Sequence, residues 1–135
     1  MTLVSTGTKS IFLSPTDALH GDIGILEPGD TLVLLCTSGS AEELISLIPY
    51  AKAKGVKLIG VSSDRHSKLA RLCEQHVFLP LGRELCPFNR APVTSSTVQL
   101  LFGNTCAVAI MMGKSLSIKE YAMNHPAGRT PCFIC

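Results

Sequence analysis

The chain has 135 residues, 46% hydrophobic and 16% charged, with 12 basic and 10 acidic side chains and a formal net charge of +2. That length builds one packed domain, and a composition so poor in charge excludes a disordered coil. The basic residues are scattered, the densest stretch lying at 52–57, so no nucleic-acid partner is expected, because capture of a phosphate backbone needs clustered positive charge.

The N-terminal sequence MTLVSTGTKS lacks the charged start and apolar core of an export signal. The most apolar stretch, 98–112, is interrupted by Gly103, Asn104 and Thr105 and falls short of the ~20 residues that span a bilayer, so it reads as a core helix with no membrane partner. A cytoplasmic location is expected, and the cysteines at 36, 73, 86, 106, 132 and 135 read as reduced thiols. Cys73 and Cys106 sit among apolar neighbours and read as small hydrophobes of the core. Cys132 and Cys135 form a C-x-x-C, but no second pair at metal spacing accompanies it, so no zinc site and no other metal is expected.

In chain order, residues 10–13, closed by Pro15, and residues 31–36, opened by Pro28-Gly29-Asp30, read as strands. Leu44, Leu47, Ile48 and Ala51 recur at i, i+3, i+4 and i+7 and mark one face of a helix that Gly55 ends and Pro49 kinks or interrupts. Residues 58–61 and 77–79 read as further strands, with a short helix between them carrying Leu69, Leu72 and Cys73. The strands are continuously apolar rather than alternating, which predicts burial on both faces and, with the βαβαβ order, a parallel sheet. A long helix is expected at 95–112, central to the core. A last helix, opened by a Ser117–Glu120 capping box, ends near Asn124.

Chemistry concentrates in loops. Residues 36–43 read CTSGSAEE, a hydroxyl-rich turn between a strand's carboxyl end and a helix N-terminus, where unpaired amides and the helix dipole favour a phosphate. The competing structural reading is that Ser40 and Glu43 form a capping box and Gly39 only makes the turn. Thr94, Ser95, Ser96 and Thr97 form a second such start: one serves as N-cap, and the others are candidates for an anion. His20, Glu84 and His125 lie in loops leading to and from the same face and are acid–base candidates. His66 and His76 read as surface or helix-end residues.

Taken together, ALHGD at 18–22, the Ser38-Gly39 loop with Glu42-Glu43, RELCP at 83–87, APVTSST at 91–97 and NHPAG at 124–128 resemble the sugar isomerase (SIS) domain of arabinose 5-phosphate isomerases, in order and spacing, from about Thr6 to Gly128. The resemblance implies a three-layer, flavodoxin-like or Rossmann-like α/β fold with a parallel sheet. It also implies interconversion of D-arabinose 5-phosphate and D-ribulose 5-phosphate without a cofactor, feeding synthesis of 3-deoxy-D-manno-octulosonate. By that correspondence Glu43, Glu84, His125 and His20 are catalytic, with Glu84 and His125 in acid–base roles and His20 or His125 in ring opening. Ser38, Gly39, Ser95, Ser96 and Thr97 bind the substrate phosphate.

Three departures accompany it. Cys36 and Ala41 stand where the family usually has hydroxyl residues. The family's first central strand and its glycine–lysine–serine–glycine loop, with a catalytic lysine, have no counterpart in the sequence. In the strand order 2-1-3-4-5 the absent strand falls between the strands at 10–13 and 31–36. Residues 1–128 then form a partial SIS domain and 129–135 a C-terminal tail, without CBS domains. The expected partner is a small sugar phosphate, and the family's tetramers imply a homo-oligomer. The alternatives are a non-catalytic sugar-phosphate-binding module and an inactive truncated isoform. A DNA-binding regulator is disfavoured because no helix-turn-helix is present.

Overall fold

A computed structural model describes residues 2–128; the C-x-x-C of Cys132 and Cys135 lies outside them. The chain divides into two compact units, residues 12–96 and residues up to 11 with those from 97 onward. In chain order the elements are α1 (Thr2–Ser5), α2 (Pro15–Leu19), a 3₁₀ turn (Asp22–Ile25), β1 (Thr31–Leu35), α3 (Glu42–Ala53), β2 (Lys57–Ser62), α4 (Lys68–Leu72), β3 (Gln75–Phe78), α5 (Thr94–Gly113) and α6 (Ile118–Met123).

Residues 12–96 hold a three-stranded parallel sheet in the order β1-β2-β3. The register pairs Leu34 with Gly60 and Gly60 with His76. Crossover helices are what parallel neighbours require, and α3 and α4 supply them. The face of α3 read from the sequence is the buried one: Ile48 and Ala51 join Leu34, Val56, Leu58 and Leu69 in one cluster, with Leu44 and Ile45 packed against it. The helix runs on through Pro49 without interruption. Pro49 lies on the exposed side, where the carbonyl it leaves without an amide partner can turn to water. Gly55 follows the helix end with φ +74°.

Residues 10–13 form no strand. Ile11 and Phe12 are exposed, and a strand exists only by pairing, so an apolar run without a neighbour stays irregular. The outer edge of β1 is likewise unpaired among the described residues, and Val33 and Leu35 on it are exposed. This open edge falls where the resemblance places the family's first central strand.

The remaining unit is built on α5, α6 and the N-terminal segment. Thr2 donates its hydroxyl to Asn104 Oδ1 (2.9 Å), and Asn124 Nδ2 donates to the Ser5 carbonyl (3.3 Å). The Ser117–Glu120 capping box forms as read. Two expectations about the long helix need correction. It passes unbroken through Gly103–Thr105, and its 20 residues are long and apolar enough to cross a membrane by length and composition alone. Nor is it central to a core in the described residues: Leu100, Leu101, Val108, Ile110 and Met112 are exposed. Composition measures how apolar a helix is, not which faces find a neighbour.

Candidate functional site

The first loop begins where β1 ends. Cys36 extends the ladder with an N–H to Val61 O (3.0 Å), and Gly39 closes a turn with an N–H to Cys36 O (3.0 Å). Gly39 has φ +64°, and a Cβ there would stand 2.5 Å from Ser67 Cβ and Oγ and 2.9 Å from Ser62 Cβ. Its carbonyl accepts the Leu69 N–H of α4 (3.0 Å), so the turn is docked on the start of that helix. Ser62, 1% exposed, lies beneath. Its Oγ is 3.0 Å from Ser67 Oγ and 2.8 Å from His76 Nε2, and Ser67 Oγ also accepts the Ala70 N–H as the cap of α4 (3.2 Å). His76 is therefore neither a surface nor a helix-end residue; it sits half-buried on β3 and supports the loop from below.

The Ser40–Glu43 capping box does not form. Ala41 occupies the N-cap of α3 without a side-chain bond, and the Ser40 N–H donates to Ser38 Oγ (3.3 Å). The amides at this end turn toward Cys36 instead. Burial pushes the Cys36 thiol up, but the Ser38 hydroxyl and the N–H groups of Ala41, Ser40 and Gly39 outweigh it and hold the thiol below its ordinary range. Cys36 Sγ lies 3.5 Å from Ser38 Oγ, so the thiol and the hydroxyl share the mouth of this loop.

The second loop is organised by Glu84. Its side chain runs to the start of α5, where Oε2 accepts the N–H groups of Thr94 (2.7 Å) and Ser95 (3.2 Å). The residue is only 8% exposed and Ser95 only 4%. The Ser95 hydroxyl, then the amides of Ser95, Thr94 and Val93, hold the Glu84 carboxyl below the usual carboxylate range. The donors read as spare anion ligands are thus engaged internally, and Ser96 Oγ donates back to the carbonyls of Pro92 and Val93. The loop itself is tied at several points. Glu84 N–H donates to Asn89 Oδ1 (2.7 Å), and Cys86 Sγ accepts the N–H groups of Arg90 and Ala91 (3.1 Å each). These bonds lower the Cys86 thiol.

Between the two loops opens a cleft of about 460 Å³ lined by Thr37, Ser38, Leu81, Gly82, Arg83, Glu84, Asn89, Arg90 and Pro92. It brings together Ser38 and Glu84 from the sequence candidates, with Ser95 behind Glu84. Gly39 is buried under the loop rather than lining it. Glu43 is exposed in the first turn of α3, and His20 is an exposed residue at the C-cap of α2; neither lines this cleft. Thr97 and His125 belong to the other unit. There the His125 ring stacks on Tyr121 with centroids 4.1 Å apart, and Nδ1 lies 2.8 Å from the Tyr121 carbonyl. A carbonyl only accepts, so Nδ1 carries the proton and Nε2 is the basic nitrogen of the neutral ring.

Sequence reasoning singled out the stretch around Glu84 but missed Arg83, Asn89 and Arg90 as cleft residues. Isolated basic side chains carry no periodic signal, and only the fold gathers them. Cys73, packed against the core, has its thiol pushed up by burial. Cys36, Cys73, Cys86 and Cys106 are free thiols. Among the described residues no group of three or more His, Cys, Asp or Glu side chains could hold a metal ion.

A parallel sheet whose carboxyl-end loops bring a hydroxyl, arginines and a buried carboxylate to one cleft defines an α/β domain with its crevice at the strand ends. The SIS domain family profile matches residues 1–109, and the chain belongs to that family. It is similar to arabinose 5-phosphate isomerase KdsD of Pseudomonas aeruginosa, with 38% identity over 127 residues, and to KdsD of Escherichia coli K12, with 35%. Each alignment covers 94% of this chain but only 39% of the relative, so the chain spans well under half the length of these proteins. Among solved structures, the c3406 protein of E. coli CFT073 in complex with arabinose 5-phosphate matches with a TM-score of 0.90 at 35% identity, covering 93% of this chain and 66% of that one.

Proposed function

We propose that this chain binds a sugar phosphate in the Ser38–Glu84 cleft and carries part of the machinery that interconverts D-arabinose 5-phosphate and D-ribulose 5-phosphate. The observation that carries the reading is the buried Glu84 carboxylate lining the same cleft as the hydroxyl-bearing loop at Ser38. The names of the relatives and the arabinose 5-phosphate complex of a similar structure support it.

The reaction needs no external oxidant. A base takes the C2 proton of the open-chain aldose while O1 gains a proton, giving an enediol; O2 then gives up its proton and C1 receives one. Glu84 is ionised at neutral pH because Ser95 and the α5 amides favour its charged form, and that is the state a proton acceptor requires. His125, with Nε2 as its basic nitrogen, fits the hydroxyl-proton transfers or ring opening. Glu43 and His20 stay in the proposed catalytic group on the resemblance alone, since neither lines the cleft; Ser38, held by the Gly39 turn, is the proposed phosphate contact, the donors of Ser95 and Ser96 being engaged at the start of α5. A cytoplasmic setting, a role in making 3-deoxy-D-manno-octulosonate and assembly as a homo-oligomer belong to the same proposal.

A second reading, a sugar-phosphate-binding module without turnover, is favoured by Cys36 and Ala41, which stand where the family usually has hydroxyl residues. Incubation of the purified chain with D-ribulose 5-phosphate, with detection of D-arabinose 5-phosphate, separates the two. Turnover reduced by about 10²–10⁴-fold in Glu84→Gln, with affinity nearly kept, supports the isomerase. Saturable binding with no turnover supports the module.

A further inference from the structure

The ligand's anionic group has to be neutralised by something other than the start of α5. Two of that helix's first amides, on Thr94 and Ser95, already bind Glu84 Oε2, and the Ser96 hydroxyl is turned back onto the Pro92 and Val93 carbonyls. An incoming phosphate at that end would meet a carboxylate. The first loop offers the Ser38 hydroxyl but no cation, and its Gly39 and Ser40 N–H groups already bond Cys36 O and Ser38 Oγ.

Two guanidinium groups line the cleft, on Arg83 and Arg90, against the single carboxylate of Glu84. Glu84 directs Oε2 to the helix amides and forms no ion pair with either arginine; the one salt bridge among the described residues joins Lys68 and Glu42. Arg83 is partly committed, since its Nε donates to the Glu84 carbonyl (3.3 Å). Arg90 stands on the most firmly tied part of the loop. Its N–H and that of Ala91 are held by Cys86 Sγ, the Asn89 N–H donates to the Cys86 carbonyl (2.9 Å), and Asn89 takes φ +53° while its side chain clasps the Glu84 amide. A long side chain on a fixed backbone loses less freedom on binding.

We propose that Arg90 is the anion-recognising residue of the cleft, taking the ligand's phosphate through its guanidinium opposite the Ser38 loop, with Arg83 as its auxiliary. The assignment rests on the sugar-phosphate reading above and deepens it. A guanidinium matches two phosphate oxygens at once, whereas a lysine ammonium offers a point charge. Specificity follows from the pairing: neutral sugars leave Arg90 without a partner, and phosphorylated ones satisfy it.

The test is isothermal titration of the full chain and its Arg90→Met and Arg90→Lys variants with D-arabinose 5-phosphate, inorganic phosphate and D-arabinose, with circular dichroism confirming an unchanged fold. Arg90→Met should weaken both phosphate-bearing probes about 10- to 100-fold, Arg90→Lys should lose part of that, and binding by the native chain should weaken as salt rises. Native binding of D-arabinose 5-phosphate that is undiminished in Arg90→Met overturns the assignment and leaves the sugar-phosphate reading standing. Failure of the native chain to bind D-arabinose 5-phosphate at all overturns both.

Discussion

Replacing Gly39 by alanine is the sharpest perturbation the fold offers, because two separable costs meet at one atom. With φ +64°, an L residue pays about 1–2 kcal/mol for the left-handed conformation alone. The new Cβ would then stand 2.5 Å from Ser67 Cβ and Oγ and 2.9 Å from Ser62 Cβ. Such contacts force a backbone shift worth about 1–3 kcal/mol more. The shift would act on the cap of α4 and on the Ser62–His76 bond together. The expected total is about 2–5 kcal/mol, or a fall in Tm of roughly 6–20 °C for a domain of this size. Gly29 supplies the control: it has φ +91°, but nothing lies within 4 Å of a Cβ placed there, so Gly29→Ala should cost only the conformational part, about 1–2 kcal/mol. Thermal melts of both variants, repeated in a Ser67→Gly background that removes the closest clash, isolate the packing component. Equal losses for the two glycines, or a Gly39→Ala loss untouched by Ser67→Gly, would refute the view that Gly39 is required by close approach to α4.

Other expectations follow from the same structure. Ser62→Ala, which removes the hydroxyl beside His76 Nε2 and Ser67 Oγ, should cost about 1–3 kcal/mol in chemical denaturation and weaken phosphate binding with it; stability at the native level would mean the pair is idle. Leu58→Ala, at a fully buried site of the sheet core, should lose about 2–5 kcal/mol by the same measurement. Glu84 and Glu120 both have carboxyls held below the ordinary range, Glu84 by the Ser95 hydroxyl and then the α5 amides, Glu120 by the Ser117 hydroxyl and then its amide. Such groups bind fewer protons folded than unfolded, so their stabilisation is full above the ordinary glutamate range and is lost as pH falls through and below it. Tm measured from neutral pH downward should drop in that acid window, and less steeply in Glu84→Gln with Glu120→Gln.

The sequence carried the α/β alternation because hydrophobic period is a local property: Leu47, Ile48 and Ala51 reveal their helix without reference to anything else, and the strands read at 58–61 and 77–79 overlap the observed β2 and β3, although β3 has no fully buried residue. Residues 10–13 failed because strand formation depends on a neighbour that no local pattern encodes. The long helix failed in another way, since its uniform apolarity leaves the direction of burial undetermined. At the site, Glu84 and Ser38 were legible because they sit in recognisable loop motifs. The actual partners of Glu84 were not: a carboxylate can cap a helix ten residues away only once the loop between them has folded. Arg90 was invisible for a related reason, being one basic residue among scattered ones until the Cys86–Asn89 turn sets it at the cleft. His76 was misplaced because its hydroxyl partner, Ser62, lies on the adjacent strand.

The central claim is that a sugar phosphate occupies the cleft between the Ser38 loop and Glu84. Titration of the isotope-labelled chain with D-arabinose 5-phosphate, followed through its backbone amide resonances, tests it most directly. The account predicts saturable shifts concentrated at residues 37–41 and 83–95, absent with D-arabinose. Saturable shifts confined to other residues, or none at all, would contradict it.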